Sequence, residues 1–370
     1  MATITKAAVC RTTGKSLSIE DLELSEPQED EVLVRVIATG VCHTDIGMRD
    51  APDRVPKPIV LGHEGAGIVE KVGTAVRKVK PGDHVVMTFR SCGHCPNCRQ
   101  GVTAYCDEIG TLNFAGQRSD GTTAFNDHGT AIHSHFFGQS SFATYAICSE
   151  RNAIPVRQDV PLEILGPLGC GIQTGAGAIL NSLKVTPGSD VGIFGVGSVG
   201  LAAVMAARLA GATTIIAIDT QRSRLDMATE LGATHTIHAG HEDTFTRVAA
   251  ISKRGLNFAV DTTGNLNVIR QAAEGLAARG VCGLINTAKG GDASVNILKM
   301  VLGGRSIRGI HEGDSNPDFF IPQLIEFYAQ GRFPFDRLIR FYDLAGINVA
   351  LDDMESGKTI KPVIRMPAAH

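Results

Sequence analysis

The sequence predicts an α/β protein of two domains, an irregular, mainly β domain followed by a doubly wound parallel sheet, and three observations carry that expectation. The chain has 370 residues, more than one compact unit needs at about 100 to 200 residues per domain. Hydrophobic residues make up 43% and charged residues 20%, which suits a large buried core and excludes disorder over most of the length. The pattern also changes near residue 172, where short β-type segments give way to apolar strands alternating with helical stretches.

In the first part, Glu31–Ile37 and Asp83–Met87 read as strands, punctuated by Pro27, Pro56, Pro58, Pro81-Gly82 and Pro96. In the second, Val191–Phe194, Val199–Leu209, Thr214–Ile218 and Arg222–Leu231 form a β-α-β-α series. Phe258–Asp261, a helix over Leu266–Ala278 and a strand over Val281–Asn286 continue it, and a terminal segment follows from about residue 311. The longest uncharged apolar stretch, Val191–Ala207, carries four glycines and is too short for a membrane span. With 38 acidic against 35 basic side chains, nothing draws the chain to nucleic acid or anionic lipid, so small-molecule chemistry is favoured. Met1–Cys10 shows no export signal, and nine cysteines then suit a reducing, cytoplasmic setting in which thiols serve as metal ligands.

Gly195-Val196-Gly197-Ser198-Val199-Gly200 matches G-x-G-x-x-G. It follows an apolar strand, opens a helix at Val199, and is succeeded 19 residues after Gly200 by Asp219 at the end of the next strand. Gly195 allows the tight turn, Gly197 lets backbone approach a pyrophosphate, Gly200 permits close helix packing, and the helix N-terminus offers unpaired N–H groups. Asp219 accepts from ribose hydroxyls and repels a 2′-phosphate, which favours NAD over NADP, although Arg222 and Arg224 nearby pull the other way.

Cys92, Cys95, Cys98 and Cys106 form C-x2-C-x2-C-x7-C among turn residues, a set that closes a tetrahedron around one structural zinc ion. An iron–sulfur cluster and a redox C-x-x-C are the alternatives, but the ferredoxin-type run places proline after its last cysteine where here Asp107 follows Cys106, and four cysteines within 15 residues favour a metal. A dispersed set, Cys42, His63 and Cys170, supplies the two sulfurs and one imidazole of a known catalytic zinc type that leaves a fourth position open. Singly, each of the three reads as an ordinary buried cysteine or histidine.

With Gly62-His63-Glu64 followed by Gly67, Gly73 and Val76, the four-cysteine lobe at 90–110 and the glycine loop in this order, the chain resembles the zinc-dependent medium-chain alcohol dehydrogenases over nearly its whole length. The resemblance implies a GroES-like, mainly β catalytic domain over 1–171, a Rossmann doubly wound parallel-sheet cofactor domain over 172–310, and a return to the catalytic domain over 311–370, with the active site in the cleft. It implies NAD and two zinc ions per chain: Cys42, His63 and Cys170 on the catalytic one, with Glu64 able to approach it. By the same resemblance Asp45 orients His63, Thr44 takes the alcohol proton, His43 meets the cofactor pyrophosphate, Thr174 faces the nicotinamide, and Arg224 and Lys361 supply cationic cofactor contacts. Relatives often end the proton relay on a histidine five residues after the first cysteine ligand, where this chain has Gly47, so water is expected to replace it.

Phe136–Tyr145 and Gly166–Ala176 resemble the aryl-alcohol, or benzyl-alcohol, branch, and terpenoid allylic dehydrogenases such as those acting on geraniol look similar there. Phe136 and Phe137 would line the substrate pocket and favour a flat or unsaturated primary alcohol; they also read as plain core. The glutathione-dependent relatives carry an arginine where this chain has Gly110. The resemblance further implies a homodimer or homotetramer, paired through edge strands near Leu284–Thr287 and Ser306–Ile310. A nonenzymatic NAD- or zinc-binding protein is the competing class, and it has no need of the Cys42, His63, Cys170 and Thr44 set.

Overall fold

The computed structural model describes residues 3–285 and 291–367. One unit of the chain runs to Cys170 and takes in Asn316–Glu326 and the residues from Asp336 on; the other comprises Gly171–Ser315 and Phe327–Phe335. The return thus begins at Asn316 and not at 311. The turn Glu312–Asp314 stays with the second unit because it packs on the helix Gly171–Gly177, where a Cβ on Gly177 would sit 2.3 Å from the Gly313 carbonyl oxygen.

The first unit is built on two mostly antiparallel sheets. Strand Glu31–Gly40 is central to the larger one, pairing with Gly65–Val72, Tyr145–Ser149 and Lys361–Arg365. Its alternating Val32, Val34 and Val36 pack with Val69 and Val85 in one buried cluster, a surface that β-branched side chains fill well. The smaller sheet runs Ile59–Val60, Thr3–Cys10, Ser18–Leu24, Phe125–Asp127 and Thr130–Ile132. A buried ion network crosses this unit. Arg118 donates to both carboxylate oxygens of Glu31 at 2.8 and 2.9 Å, and His135 Nε2 lies 3.1 Å from the first of them. Arg118 is 6% and Glu31 4% exposed.

The second unit is a six-stranded parallel sheet in the order His235–His238, Thr214–Asp219, Asp190–Phe194, Leu256–Asp261, Leu276–Leu284, Ser306–Gly309. The strand His235–His238 and the helix Thr244–Ile251 are absent from the sequence-based reading; in the strand only Ile237 is buried, which gives little periodic signal. The helix expected over Leu266–Ala278 ends at Glu274: Leu276 is captured by Leu256 as a strand partner, and a register shift follows. The strand expected at Val281–Asn286 is Leu276–Leu284, and Asn286 and Thr287 lie outside the described residues. Leu284 is therefore one strand in from the edge, which Ser306–Gly309 forms among the described residues. Beside it, helix Ile297–Gly303 exposes Ile297, Leu298, Val301 and Leu302. Among the described residues no helix is long and apolar enough to cross a membrane.

Strand order reverses at Asp190–Phe194, whose neighbours are Thr214–Asp219 on one side and Leu256–Asp261 on the other. In doubly wound sheets, ligands bind beyond the carboxyl ends of the strands at such a switch point. The glycine loop starts there.

Candidate active site

The four-cysteine lobe brings Cys92, Cys95, Cys98 and Cys106 together, with all four sulfurs within 4.8 Å of one another and Cys92 Sγ 4.0 Å from Cys98 Sγ. Sulfurs about 2.3 Å from a tetrahedral zinc stand about 3.8 Å apart, so the lobe fits the ion. Backbone N–H groups of Cys92, Cys95 and Cys98 donate to sulfurs of the set at 3.2 to 3.4 Å, which stabilises thiolates.

The dispersed set also converges. Ligand atoms of Cys42, His63, Glu64 and Cys170 lie within 4.8 Å of one another, three of the residues buried. Cys42 precedes the helix His43–Asp50 and His63 precedes the strand Gly65–Val72. Cys170 is carried in by Gly166–Gly169, a segment pressed onto its neighbours at backbone contact: a Cβ on Gly166 or Gly169 would sit 2.2 Å from the carbonyl oxygen of Glu64 or Met87.

Asp45 lies in the first turn of that helix, 1% exposed, and its carboxylate is fully engaged. It accepts from the Cys42 N–H at 2.9 Å and the Gly62 N–H at 3.2 Å, and its Oδ1 is 2.9 Å from His63 Nδ1. That contact places the imidazole proton on Nδ1 and leaves the Nε2 lone pair free. His63 Nε2 is buried with no hydrogen-bond partner, and a ligand bond to a cation would satisfy it. Two thiols and this nitrogen are the donor chemistry of zinc.

Lys361, expected at the cofactor, is 1% exposed, with its ammonium 2.7 and 2.6 Å from the two Glu64 oxygens and 3.0 Å from the Val41 carbonyl. A buried ammonium needs such a partner, and the strand Lys361–Arg365 aims it into this unit. Burial pushes the Glu64 carboxyl up to about 7 against the pull of Lys361. Phe136 takes the core reading among the described residues. It exposes no surface and belongs to the main hydrophobic cluster, so it borders no space a water could enter. Both phenylalanines pack on His63, Phe137 stacked at 4.4 Å and Phe136 edge-on at 5.4 Å between ring centroids. Thr44 is half-buried, its Oγ1 3.6 Å from Cys42 Sγ, and His43 is exposed.

In the second unit, Gly195 adopts φ +85°, and a Cβ there would meet Thr262 Oγ1 at 2.5 Å. A Cβ on Gly200 would strike the Gly195 carbonyl oxygen at 2.0 Å, whereas one on Gly197 would meet nothing within 4 Å. That open face is where a phosphate can approach the N-terminus of helix Ser198–Leu209. Val199 is half-buried in its first turn. Asp219 braces the loop, its Oδ2 accepting from the Val196 N–H at 2.8 Å and its Oδ1 from the Gln221 N–H at 2.9 Å. Its remaining lone pairs are available to hydroxyl donors. Arg224 lies 3.9 Å from Asp219, and the Thr174 hydroxyl donates to Glu312 at 3.2 Å.

Sequence reasoning missed Gln139 and Thr88, which bond the main chain beside His63 and Cys170, and the left-handed run His135, Phe137, Gly138 and Ser140 around Gln139. Their one signal is polar residues at Gln139, Ser140 and Ser141 between aromatic ones.

Residues 28–158 match the family model of the alcohol dehydrogenase GroES-like domain, and residues 198–330 match that of the zinc-binding dehydrogenases. The chain is 46% identical to a geraniol dehydrogenase of Castellaniella defragrans over 97% of each chain. It is similar to the crystal structure of an alcohol dehydrogenase zinc-binding domain protein from Burkholderia ambifaria, with 51% identity, a TM-score of 0.98 and full coverage of both chains. It is likewise similar to that of the benzyl alcohol dehydrogenase of Acinetobacter calcoaceticus, with 44% identity and a TM-score of 0.96 over 99% of this chain and 100% of the other.

Proposed function

Because the chain belongs to the zinc-dependent medium-chain alcohol dehydrogenase family, we propose that it interconverts aromatic, benzyl-type primary alcohols and their aldehydes with NAD. The convergence of Cys42, His63 and Cys170 around an unpartnered buried Nε2 carries the dehydrogenase reading. Likeness to a benzyl alcohol dehydrogenase supports the aryl substrate, and likeness to a geraniol dehydrogenase favours a second reading, an allylic terpenoid alcohol. The two substrates share a carbinol carbon attached to an unsaturated one, so both give a conjugated aldehyde. Phe137 is the proposed lining residue on the His63 side.

Cys42, His63 and Cys170 would hold the catalytic zinc, and Cys92, Cys95, Cys98 and Cys106 the structural one. When bound, zinc supplies Lewis acidity and NAD a hydride acceptor. Asp45 keeps the His63 proton on Nδ1. Thr44 Oγ1 takes the substrate hydroxyl proton as its own hydroxyl proton passes on to water. The N–H groups opening helix Ser198–Leu209 hold the pyrophosphate, and Asp219 binds the ribose hydroxyls while Arg224 flanks it. Glu64, held by Lys361, keeps a carboxylate beside the metal ligands.

The test is NADH formation with benzyl alcohol, cinnamyl alcohol and geraniol, with NAD against NADP. Benzyl alcohol is expected to give the highest kcat/KM with NAD. A clear lead for geraniol selects the second reading, and no turnover of any of the three removes both.

Gly47 sits on the exposed side of helix His43–Asp50, and a Cβ there would meet nothing within 4 Å, so Gly47→His is sterically free. Turnover of the variant is expected to rise by up to about tenfold, below the ~10²-fold or more of a base that touches the reacting proton. Its pH–rate profile should gain an inflection near the ordinary imidazole pKa of about 6.5. An unchanged rate and profile would show that the proton does not leave past this position.

A further inference from the structure

Two buried side chains link the backbone beside two members of the dispersed donor set. Gln139 is 1% exposed, and its Nε2 donates to the His63 carbonyl at 3.0 Å and to the Thr88 carbonyl at 3.2 Å. Its Oε1 accepts from the Gly65 N–H at 3.1 Å, so one amide grips the chain on both sides of Glu64. Thr88, also 1% exposed, continues the line: its hydroxyl donates to the Gly169 carbonyl at 2.6 Å, one residue before Cys170. Asn152 holds the far side, its Nδ2 donating to the carbonyls of Thr88 and Gly138 at 3.2 and 3.0 Å.

The backbone bearing Gln139 is bent to make this reach. His135, Phe137 and Ser140 adopt φ of 59°, 52° and 54°, values that non-glycine residues rarely hold without compensation. Ser140 Oγ locks the bend by donating to the Val60 carbonyl at 2.6 Å, and Phe137 stacks on the His63 ring from the same bend. A strained segment that delivers one amide to the main chain of one ligand, and through Thr88 to that of another, has the form of a strut.

We propose that Gln139 and Thr88 are positioning residues that set the spacing between His63 and Cys170 and with it the geometry and retention of the catalytic zinc. The inference rests on the reading of Cys42, His63 and Cys170 as zinc ligands. Neither side chain belongs to the donor set; Gln139 acts through the backbone of His63, and Thr88 through the Gly169 carbonyl that adjoins Cys170. Groups of this kind around metal sites are worth about 10- to 100-fold in metal affinity.

The experiment uses purified holoenzyme and the variants Gln139→Met, Thr88→Val, Thr88→Ser and the double variant Gln139→Met/Thr88→Val. It measures zinc release to a chelating dye, the visible absorption of cobalt-substituted protein and the thermal midpoint. His63→Ala identifies which equivalent belongs to the dispersed set. Gln139→Met and Thr88→Val are expected to release that equivalent about 10- to 100-fold faster and to shift the cobalt bands, with the lobe equivalent unaffected. Thr88→Ser restores the hydroxyl and should return both readouts towards wild type. The double variant should fall short of the product of the single effects, since the two residues act in series.

Wild-type release and cobalt spectra in folded variants overturn the proposal, as does equal loosening of both equivalents, which would mark plain destabilisation. If Gln139→Met does not fold, the Thr88→Val and Thr88→Ser pair decides alone. A wild-type protein that holds only the lobe equivalent would instead overturn the underlying reading of the site.

Discussion

His63→Ala is expected to lower alcohol oxidation by about a thousandfold or more while the protein keeps one of two zinc equivalents. Lewis-acid stabilisation is worth several kcal/mol, and each 1.36 kcal/mol is about tenfold in rate. Alanine removes the single nitrogen donor of the set and leaves Asp45, 1% exposed, without its imidazole partner. Two cysteines and a carboxylate already paired with Lys361 remain. The lobe of Cys92, Cys95, Cys98 and Cys106 shares no residue with that set and should retain its ion. Metal analysis and turnover on the same sample check both statements. Near-normal turnover, or loss of both equivalents together, would show that the two donor sets do not have separate roles.

Glu31→Gln is expected to cost about 3 to 5 kcal/mol of stability, because it strands a guanidinium inside the first unit. Arg118 is 6% exposed and donates to both Glu31 oxygens and to Ser25 Oγ. Gln28 N–H and His135 Nε2 converge on the same carboxylate. Glutamine offers one acceptor oxygen, and its amide would face donors. The same pair makes stability pH-dependent. Burial alone would raise the Glu31 carboxyl, but His135 and Arg118 bring it down to about 2 from an ordinary value of 4.5. Between those values the unfolded chain binds the proton and the folded one does not, so this stabilisation is present above pH 4.5 and is lost as pH falls towards 2. Thermal unfolding followed across that window should show a steep acid limb in wild type and a flatter one in the variant. A variant with the wild-type midpoint and acid limb would contradict this account.

What was legible in the sequence is what short spacing encodes. The glycine loop, its helix and Asp219 lie within one β-α-β stretch, and Cys92 to Cys106 share one lobe, so local pattern is enough to find them. The Glu31 network was not legible, because its partners Arg118 and His135 stand 87 and 104 residues away and each alone reads as a surface residue. Lys361 is 297 residues from Glu64, and a lysine in a strand gives no sign that its head is buried. Phe136 shows the reverse failure: two adjacent aromatics suggest a pocket wall, yet which of them is sealed depends on packing against Phe114 and His63. The helix drawn to Ala278 failed because tertiary pairing of Leu276 overrode its periodicity.

Gly166 and Gly169 touch neighbouring carbonyls with only hydrogen between. The loop that delivers the third donor therefore inherits the stiffness of the β-structure beneath it and has no side-chain cushion through which it can drift. Attempts to broaden substrate range by randomising this stretch would meet steric refusal at both positions, with alanine already too large. Diversity is better introduced where an added methyl meets empty space, as at Gly47 or Gly110.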